Sequence, residues 1–466
     1  MFLKYSAGEK NNDMKNIQSK SVAAVTLGCK LNVAETSAIL DSLSKNGWRI
    51  STTEEKADLI IIHTCAVTHK AEQKCRQKIR ALIRKKPDTR IAVIGCYAQL
   101  HPDSLSSIDG IDLILGSNDK FEIELYSNVL EKTIPKAFVK VTPAHTIEAV
   151  YPGYSLPAPA SKERTRAFLK IQDGCDYGCS YCTIPLVRGK SRSIPAEEIV
   201  ERASLLASSG YREIVLTGVN TGDYHSGEMT LCDLLRQLEK VDISRIRISS
   251  IEPDIVDHEL ISLVAASRKI VPHFHIPLQS GSNTILRAMR RRYDTALYRN
   301  KVQQAVERIA ECAIGADVMV GFPGETEDDF LQMYRFIEEL PLAYLHVFSC
   351  SIRPGTTLAE QTDNQERSPV ASKETTRRYR ELVELGHKKE ATFKARFIGK
   401  ECTVLFENSR SLPKGVQQCS GYTRNYLRVL VESSDRPLVQ SLRGNELPVL
   451  IDSLDDDLNL KGRVLS

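Results

Sequence analysis

The stretch Lys170-Ile171-Gln172-Asp173-Gly174-Cys175-Asp176-Tyr177-Gly178-Cys179-Ser180-Tyr181-Cys182-Thr183-Ile184-Pro185 decides how this chain is read. Its cysteines form a C-x3-C-x2-C run. Three soft thiolates this close can hold three irons of a four-iron cube and leave the fourth iron open to a small molecule. The same donors suit a three-ligand zinc site, and isolated core cysteines need no ligand at all. The residues just before the run, Ala167–Gln172, read as a strand, so the cysteines occupy the loop after a strand.

Downstream, strands at Glu213–Thr217, Arg245–Ser249, His273–Pro277, Gly315–Val320 and Ala343–Val347 alternate with helices near 195–208, 230–240, 254–267, 294–311 and 326–339. Together with the first strand they predict a partial (βα)6 barrel over residues 166–387, whose active end is the set of strand C-termini. Upstream, strands at 22–28, 59–64, 90–95 and 113–116, with helices at 34–46 and 70–86, predict a small parallel α/β domain over residues 21–142. Cys29, Cys65 and Cys96 each follow one of its strands. Parallel strands end along one edge, where ligands sit, so these three are predicted to meet as a second metal-binding triad. Cys75 falls within the charged helix. It and Cys232, Cys312, Cys350, Cys402 and Cys419 lack partner spacing and read as structural or free thiols.

Residues 1–20 read as a disordered polar extension, and 143–165, rich in Pro, Gly, Ser and Ala, as a linker or a covering strap. Over 388–466 the pattern shifts to short β segments, Thr392–Phe397, Cys402–Phe406, Tyr426–Val431, Pro437–Ser441 and Pro448–Ile451, with Gly399, Gly415, Gly421 and Gly444 at turns. A small β-barrel is predicted. Residues 388–430 carry nine Lys/Arg against three Glu, a locally basic surface fitted to a phosphate backbone, with an ordinary solvated face as the alternative. Tyr422 and Tyr426 read as exposed aromatics that fit RNA.

A chain of 466 residues is too long for one core. Its net charge of +4 does not by itself select nucleic acid. No apolar run is long enough to cross a bilayer, and residues 1–20 lack the apolar core of a secretory signal. Twelve cysteines in such a chain suit metal chemistry better than a disulfide scaffold. The expected compartment is the cytoplasm.

The sequence resembles the methylthiotransferases, a branch of the radical S-adenosylmethionine (SAM) enzymes, from about residue 21 onward. The resemblance rests on the cysteine run continued by Thr183-Ile184-Pro185 and Arg188-Gly189-Lys190-Ser191-Arg192-Ser193. It rests also on Ser249-Ser250-Ile251-Glu252-Pro253, on His275-Ile276-Pro277-Leu278-Gln279-Ser280-Gly281-Ser282 with Met289-Arg290-Arg291, and on Asp317-Val318-Met319-Val320-Gly321-Phe322-Pro323-Gly324-Glu325-Thr326. It implies that Cys175, Cys179 and Cys182 hold a [4Fe–4S] cluster whose open iron binds SAM. Such a cluster cleaves SAM to a 5'-deoxyadenosyl radical. It implies further that Cys29, Cys65 and Cys96 hold a second [4Fe–4S] cluster that handles sulfur, and that the C-terminal barrel is an RNA-binding TRAM-like module.

Tyr181 then lies against the adenine of SAM, simple loop packing being the alternative. The backbone around Gly218 and Asn220 receives the SAM amino group, and Glu252, Gln279 and Ser280 contact SAM or the target base. Asp317 is equally well a structural residue of its strand. Arg188, Lys190 and Arg192 form one basic patch and Arg287, Arg290, Arg291 and Arg292 another, for phosphates or SAM.

Within the family, Lys30 after Cys29 and Glu35 further on resemble the group acting on threonylcarbamoyl-adenosine at tRNA position 37. The sister groups act on isopentenyl-adenosine at that nucleotide or on a ribosomal-protein aspartate. The implied partners are a tRNA anticodon stem-loop, an electron donor such as flavodoxin or ferredoxin, and a sulfur source, with the chain acting as a monomer. The contrasting class is a non-enzymatic, metal-stabilised RNA-binding protein.

Overall fold

The structure, a computed structural model, describes residues 20–465 except 52, 132–135 and 157–164. The expected disordered extension, but for residue 20, and the middle of the expected linker lie outside the described residues.

The N-terminal domain is a parallel sheet of β1 (Ser21–Thr26), β2 (Leu59–Thr64), β3 (Arg90–Gly95), β4 (Leu113–Leu115) and β5 (Phe138–Lys140) in that spatial order, with Arg49–Ile50 pairing outside β1. Helices α1 (Lys30–Lys45) and α2 (His69–Lys85) follow β1 and β2. The run Leu59-Ile60-Ile61-Ile62 is wholly buried because both sheet faces are covered. Ile60 and Ile62 enter one apolar layer, Leu59 and Ile61 the other. The register pairs Thr26 with His63 and Thr64 with Gly95, so β1, β2 and β3 end side by side.

The central domain has the six expected parallel strands, β6 (Arg166–Lys170), β7 (Glu213–Thr217), β8 (Arg245–Ile248), β9 (His273–His275), β10 (Ala313–Val320) and β11 (Tyr344–Ser349). They pair as β6-β7-β8 and β9-β10-β11, and parallel bridges Ile246–Ile270 and Ser250–His275 join the halves. Among the described residues no pairing joins β6 to β11, so the barrel is open on that side. There residues 150–155 act as the strap: Tyr154 bridges Leu169, Lys170 N–H donates to Gly153 O (2.7 Å), and Tyr154 N–H donates to Ala34 O of α1 (3.0 Å). Ile214, Leu216, Ile246 and Ile248 pack in the apolar core, whereas their alternates Glu213, Arg245 and Arg247 face inward. A (βα) barrel interior is ordinarily filled by branched apolar side chains. Here it is charged, which suits a cavity for polar ligands.

The C-terminal module is a closed, TRAM-like barrel of β12 (Glu401–Ser411), β13 (Gln417–Thr423), β14 (Arg428–Ser433), β15 (Glu446–Leu454) and β16 (Leu460–Val464), in the order β12-β13-β14-β16-β15. Two expected strands are helical. Thr392–Phe397 lies in the end of the 24-residue α3 (Ser372–Ala395) and the turn after it, with Phe393 and Phe397 four residues apart and both in the barrel core. That helix also runs through residue 388, the expected start of the module. Pro437–Ser441 lies in α4 (Arg436–Leu442), which starts at Asp435, whose carboxylate accepts from Leu438 N–H (3.0 Å). Among the described residues no helix is long and apolar enough to cross a membrane.

Candidate active site between two cysteine triads

Cys29 caps α1, Cys65 follows β2, and Cys96 opens a short helix after β3. Glycines let these loops close on one another. A Cβ on Gly28 would lie 2.9 Å from Cys65 Cβ, and one on Gly95, whose φ is +95°, would lie 2.4 Å from the His63 ring. Cys75, read as structural, is buried and donates to Cys65 O (3.6 Å). Burial pushes the Cys65 thiol up to about 12, helped by Cys96 and Cys29; it also raises Cys29, against the pull of Arg188.

In the second triad every sulfur receives one N–H. Tyr177 N–H reaches Cys175 Sγ (3.4 Å), Ile184 N–H reaches Cys182 Sγ (3.4 Å), and Arg291 Nη1 reaches Cys179 Sγ (3.1 Å). Donors aimed at sulfur favour the anionic form that a metal requires. Burial nevertheless lifts the free Cys175 thiol to about 11 and Cys182 to about 12. Arg291, expected on a phosphate-binding patch, has a side chain only 2 % exposed. It is ion-paired to Glu252 and donates to Tyr293 Oη (3.1 Å), so it braces the Cys179 loop from inside. Burial carries the Glu252 carboxyl up to about 7 although Arg291 pulls it down.

Three thiolates on one tetrahedral zinc stand about 3.8 Å apart. Among the described residues neither cysteine triad has its ligand atoms all within 4.8 Å of one another; only His275, Asp317 and His346 do.

A cavity opens from Tyr181 and Cys182, passes Gln279, Asp317 and Met319, and ends against Val67 and Thr68, just beyond Cys65. Gln279 has a left-handed backbone (φ +61°), fixed by its N–H to Asp317 O and by Met319 N–H to its own O (both 2.8 Å). Strain of this kind recurs where a ligand must be met. Asp317 lines the cavity as well. Despite burial, the hydrogen bonds from His275 Nε2 (3.0 Å) and His346 Nδ1 (3.2 Å) hold its carboxyl well below the ordinary range. The Asn220 side chain is buried with both amide atoms lacking a partner. A buried amide left open is what a bound cofactor completes. The N–H groups of Val219 and Asn220 beside Gly218 both donate to Gln172 Oε1 (3.0 Å each), so the N–H edge of this turn is already engaged. Ser280 is buried and its hydroxyl accepts from Ser282 N–H (3.2 Å), shaping the loop.

A buried ion network joins the triads. Glu35 of α1 accepts from Lys120 (2.6 Å), Lys170 (2.8 Å) and Arg188 (3.0 Å), and Asp173 accepts from Lys170 (2.6 Å) and Arg188 (2.9 Å). Arg188 Nη2 also donates to Asn32 Oδ1 (2.9 Å), the atom that faces Cys29 Sγ at 3.6 Å. Asp173 Oδ1 accepts from Gly174 N–H (2.8 Å), immediately before Cys175. Arg188, expected in a basic surface patch, is thus an internal strut. Its contacts to Glu35 and Asn32 span more than 150 positions, so no local pattern announces them.

Residues 21–116 match the Uncharacterized protein family UPF0004, and residues 169–337 match the Radical SAM superfamily. The chain is 36% identical, over 89% of its length and 91% of the relative's, to the threonylcarbamoyladenosine tRNA methylthiotransferase MtaB of Bacillus subtilis (strain 168). It is 34% identical, over 74% of its length and 79% of the relative's, to the tRNA-2-methylthio-N(6)-dimethylallyladenosine synthase of Thermodesulfovibrio yellowstonii. The chain belongs to the radical SAM methylthiotransferases. Among solved structures, the radical SAM methyltransferase TsrM from Kitasatospora setae shares the fold at a TM-score of 0.55 and 15% identity, over 74% of this chain and 75% of that one.

A radical SAM methylthiotransferase is a SAM-binding enzyme, and both cysteine sets here are capable of holding iron–sulfur centres. Gly174 provides a direct test of the second set. Its φ is +71°, and a Cβ would lie 1.8 Å from Lys190 O. Left-handed backbone alone costs another residue roughly 1–2 kcal/mol, and the overlap forces the Lys190 carbonyl aside. Gly174→Ala should therefore lose about half the reconstituted iron, with the remainder held by the N-terminal triad, as iron and sulfide analysis and EPR would read.

Proposed function

We propose that this protein converts N6-threonylcarbamoyladenosine at position 37 of tRNA to its 2-methylthio derivative. In this reading Cys175, Cys179 and Cys182 hold one [4Fe–4S] cluster, and Cys29, Cys65 and Cys96 hold the other. With SAM bound, a reduced cluster at the first set would supply a 5'-deoxyadenosyl radical to take hydrogen from adenine C2, and the second set would hold the sulfur, its methyl coming from another SAM, which leaves as S-adenosylhomocysteine. Tyr181 walls the SAM site, Asn220 and Gln279 offer it polar groups, and Arg291 with Glu252 fixes the Cys179 loop. The observation that carries the reading is a cavity lined both by Cys182 of one set and by Val67 and Thr68, two and three residues past Cys65 of the other, in a chain 36% identical to the Bacillus subtilis threonylcarbamoyladenosine enzyme.

Lys190, Arg287, Arg290 and Arg292 are exposed near the second triad's loop, and Arg410 and Arg428 on the C-terminal barrel. Such a rim positions phosphates of an anticodon stem-loop, whose unpaired base can then be splayed inward. Tyr422 and Tyr426 do not serve as free stacking platforms. Their rings are half-buried under Arg166 (4.6 and 5.6 Å), and Tyr426 also under Arg247 (4.6 Å), at the contact with the central domain. A flavodoxin- or ferredoxin-type protein supplies electrons, a separate source supplies sulfur, and one chain acts as a monomer.

Deleting the gene and measuring tRNA nucleosides by mass spectrometry tests the substrate. The 2-methylthio form of threonylcarbamoyladenosine should disappear while its precursor accumulates. Loss of the methylthio group from dimethylallyladenosine instead, with the threonylcarbamoyl form intact, overturns the assignment in favour of the second relative's substrate.

A further inference from the structure

Beyond the cavity at Tyr181 and Cys182 lies a groove of about 910 Å³. Thr68, Phe348, Ser349, Cys350 and Ser351 line both, so the two spaces are continuous. Two aromatic side chains stand in the groove. Phe348, near the end of β11, is 44 % exposed, and Tyr379 of α3 is 38 % exposed. Val67 lines the adjoining cavity and is the most exposed large apolar side chain among the described residues (55 %). An exposed apolar patch rimmed by polar residues marks an interaction surface. Among the described residues neither Phe348 nor Tyr379 makes a ring or cation contact. Tyr422 and Tyr426 differ, since Arg166 covers both (4.6 and 5.6 Å).

The rim selects the occupant. Among the described residues no carboxylate lines the groove, whereas exposed His69 and Lys70 do. They open α2, a 17-residue helix whose amino end carries partial positive charge. His69 N–H donates to Ser351 Oγ (3.3 Å), which ties that end to the loop after β11. Free aromatic faces beside positive charge suit single-stranded nucleic acid, because every base has a face to stack and every phosphate a charge to meet. The reaction also creates the need. Drawing a base into the cavity breaks its stacking on its neighbours in the anticodon loop. A neighbour left outside then presents a face that an aromatic ring can cover.

We propose that Phe348 and Tyr379 form the stacking platform for a base flanking the target adenosine, with Lys70 beside its phosphate. Both act as positioning residues, holding the loop so that the target base enters the cavity. This rests on the reading that a tRNA base is the substrate, whichever group its N6 carries.

The test uses the full-length reconstituted protein and three anticodon stem-loop RNAs with threonylcarbamoyladenosine at position 37. One is intact, one is abasic at position 36 and one is abasic at position 38. Affinity is read by fluorescence anisotropy. The wild type should bind one abasic RNA roughly 5- to 100-fold more weakly than the intact RNA, the effect of one lost stack. Phe348→Ala and Tyr379→Ala should bind the intact RNA more weakly and lose most of that discrimination, whereas Phe348→Trp should keep it. Unaltered iron content and melting temperature in the variants exclude a folding defect. If the alanine variants discriminate as fully as the wild type, or the wild type ignores both missing bases, the platform is wrong while the RNA substrate stands. If they bind the intact RNA normally yet take electrons more slowly from reduced flavodoxin, the patch docks an electron-transfer protein and the platform is again wrong. If the wild type binds none of the three RNAs, the RNA reading itself falls and takes the platform with it.

Discussion

Cys179→Ser should abolish both SAM cleavage and product, whereas Cys96→Ser should abolish product alone and leave 5'-deoxyadenosine formation. The difference follows from where each cysteine sits. Cys179 belongs to the loop after β6, takes a donor from Arg291, and adjoins the cavity at Tyr181 and Cys182. Cys96 lies at the edge of a different sheet, at the end of β3. The two sets share the ion network through Arg188, but no cysteine is common to both. A serine hydroxyl is a poor soft-metal ligand, so each substitution empties its own site. The check is single-turnover assay of 5'-deoxyadenosine and methylthio nucleoside side by side. Equal loss of 5'-deoxyadenosine in both variants would show that the triads do not divide the chemistry.

The placement of the cysteines was legible in the sequence, because Cys29, Cys65 and Cys96 each follow a strand and parallel strands end together. The six barrel strands were legible for the same reason, as short apolar runs between helical periods. What escaped lies mostly in the C-terminal module. Gln417–Thr423 reads Gln-Gln-Cys-Ser-Gly-Tyr-Thr, with too few apolar alternates to announce a strand. Gly421, expected at a turn, sits inside that strand because a Cβ would lie 2.4 Å from Leu405 O. Phe393 and Phe397 suggested a strand although their spacing of four is helical. Asp435 before Arg436-Pro437 was a helix start, a capping side chain followed by proline in the first turn.

In the sequence, Cys175, Cys179 and Cys182 stand out by spacing and Cys29, Cys65 and Cys96 by following strands, whereas the residues that the fold packs around them do not stand out. Arg291 lies 112 positions from Cys179, and Glu35 lies 153 from Arg188. Both arginines looked like surface charge in a basic run. Burial and partners, which only the folded chain supplies, make them internal struts.

Glu35→Gln is expected to destabilise the fold by roughly 3–5 kcal/mol, the cost of leaving buried charge unpaired. Glu35 is fully buried, and with Asp173 it balances three buried cations, Lys120, Lys170 and Arg188. Taking away one of two anions leaves three cations against one. Lys120→Met, by contrast, leaves two against two and should cost much less, so the pair separates charge imbalance from simple loss of packing. The pH dependence has a definite sign. Burial acts to raise the Glu35 carboxyl, but Arg188, Lys120 and Lys170 win and hold it well below the ordinary range. A depressed carboxyl contributes its full stability above the unfolded value, about 4.3, and loses it as pH falls toward the folded value. The gap between wild type and Glu35→Gln in urea midpoint should therefore be constant above about pH 5.5 and narrow below about pH 4.3. Because Lys170 and Arg188 come from the central domain and Glu35 and Lys120 from the N-terminal one, the substitution should also loosen their docking. Faster proteolysis within residues 143–165 would register it, and a midpoint equal to wild type at neutral pH would mean that the network contributes nothing net to stability.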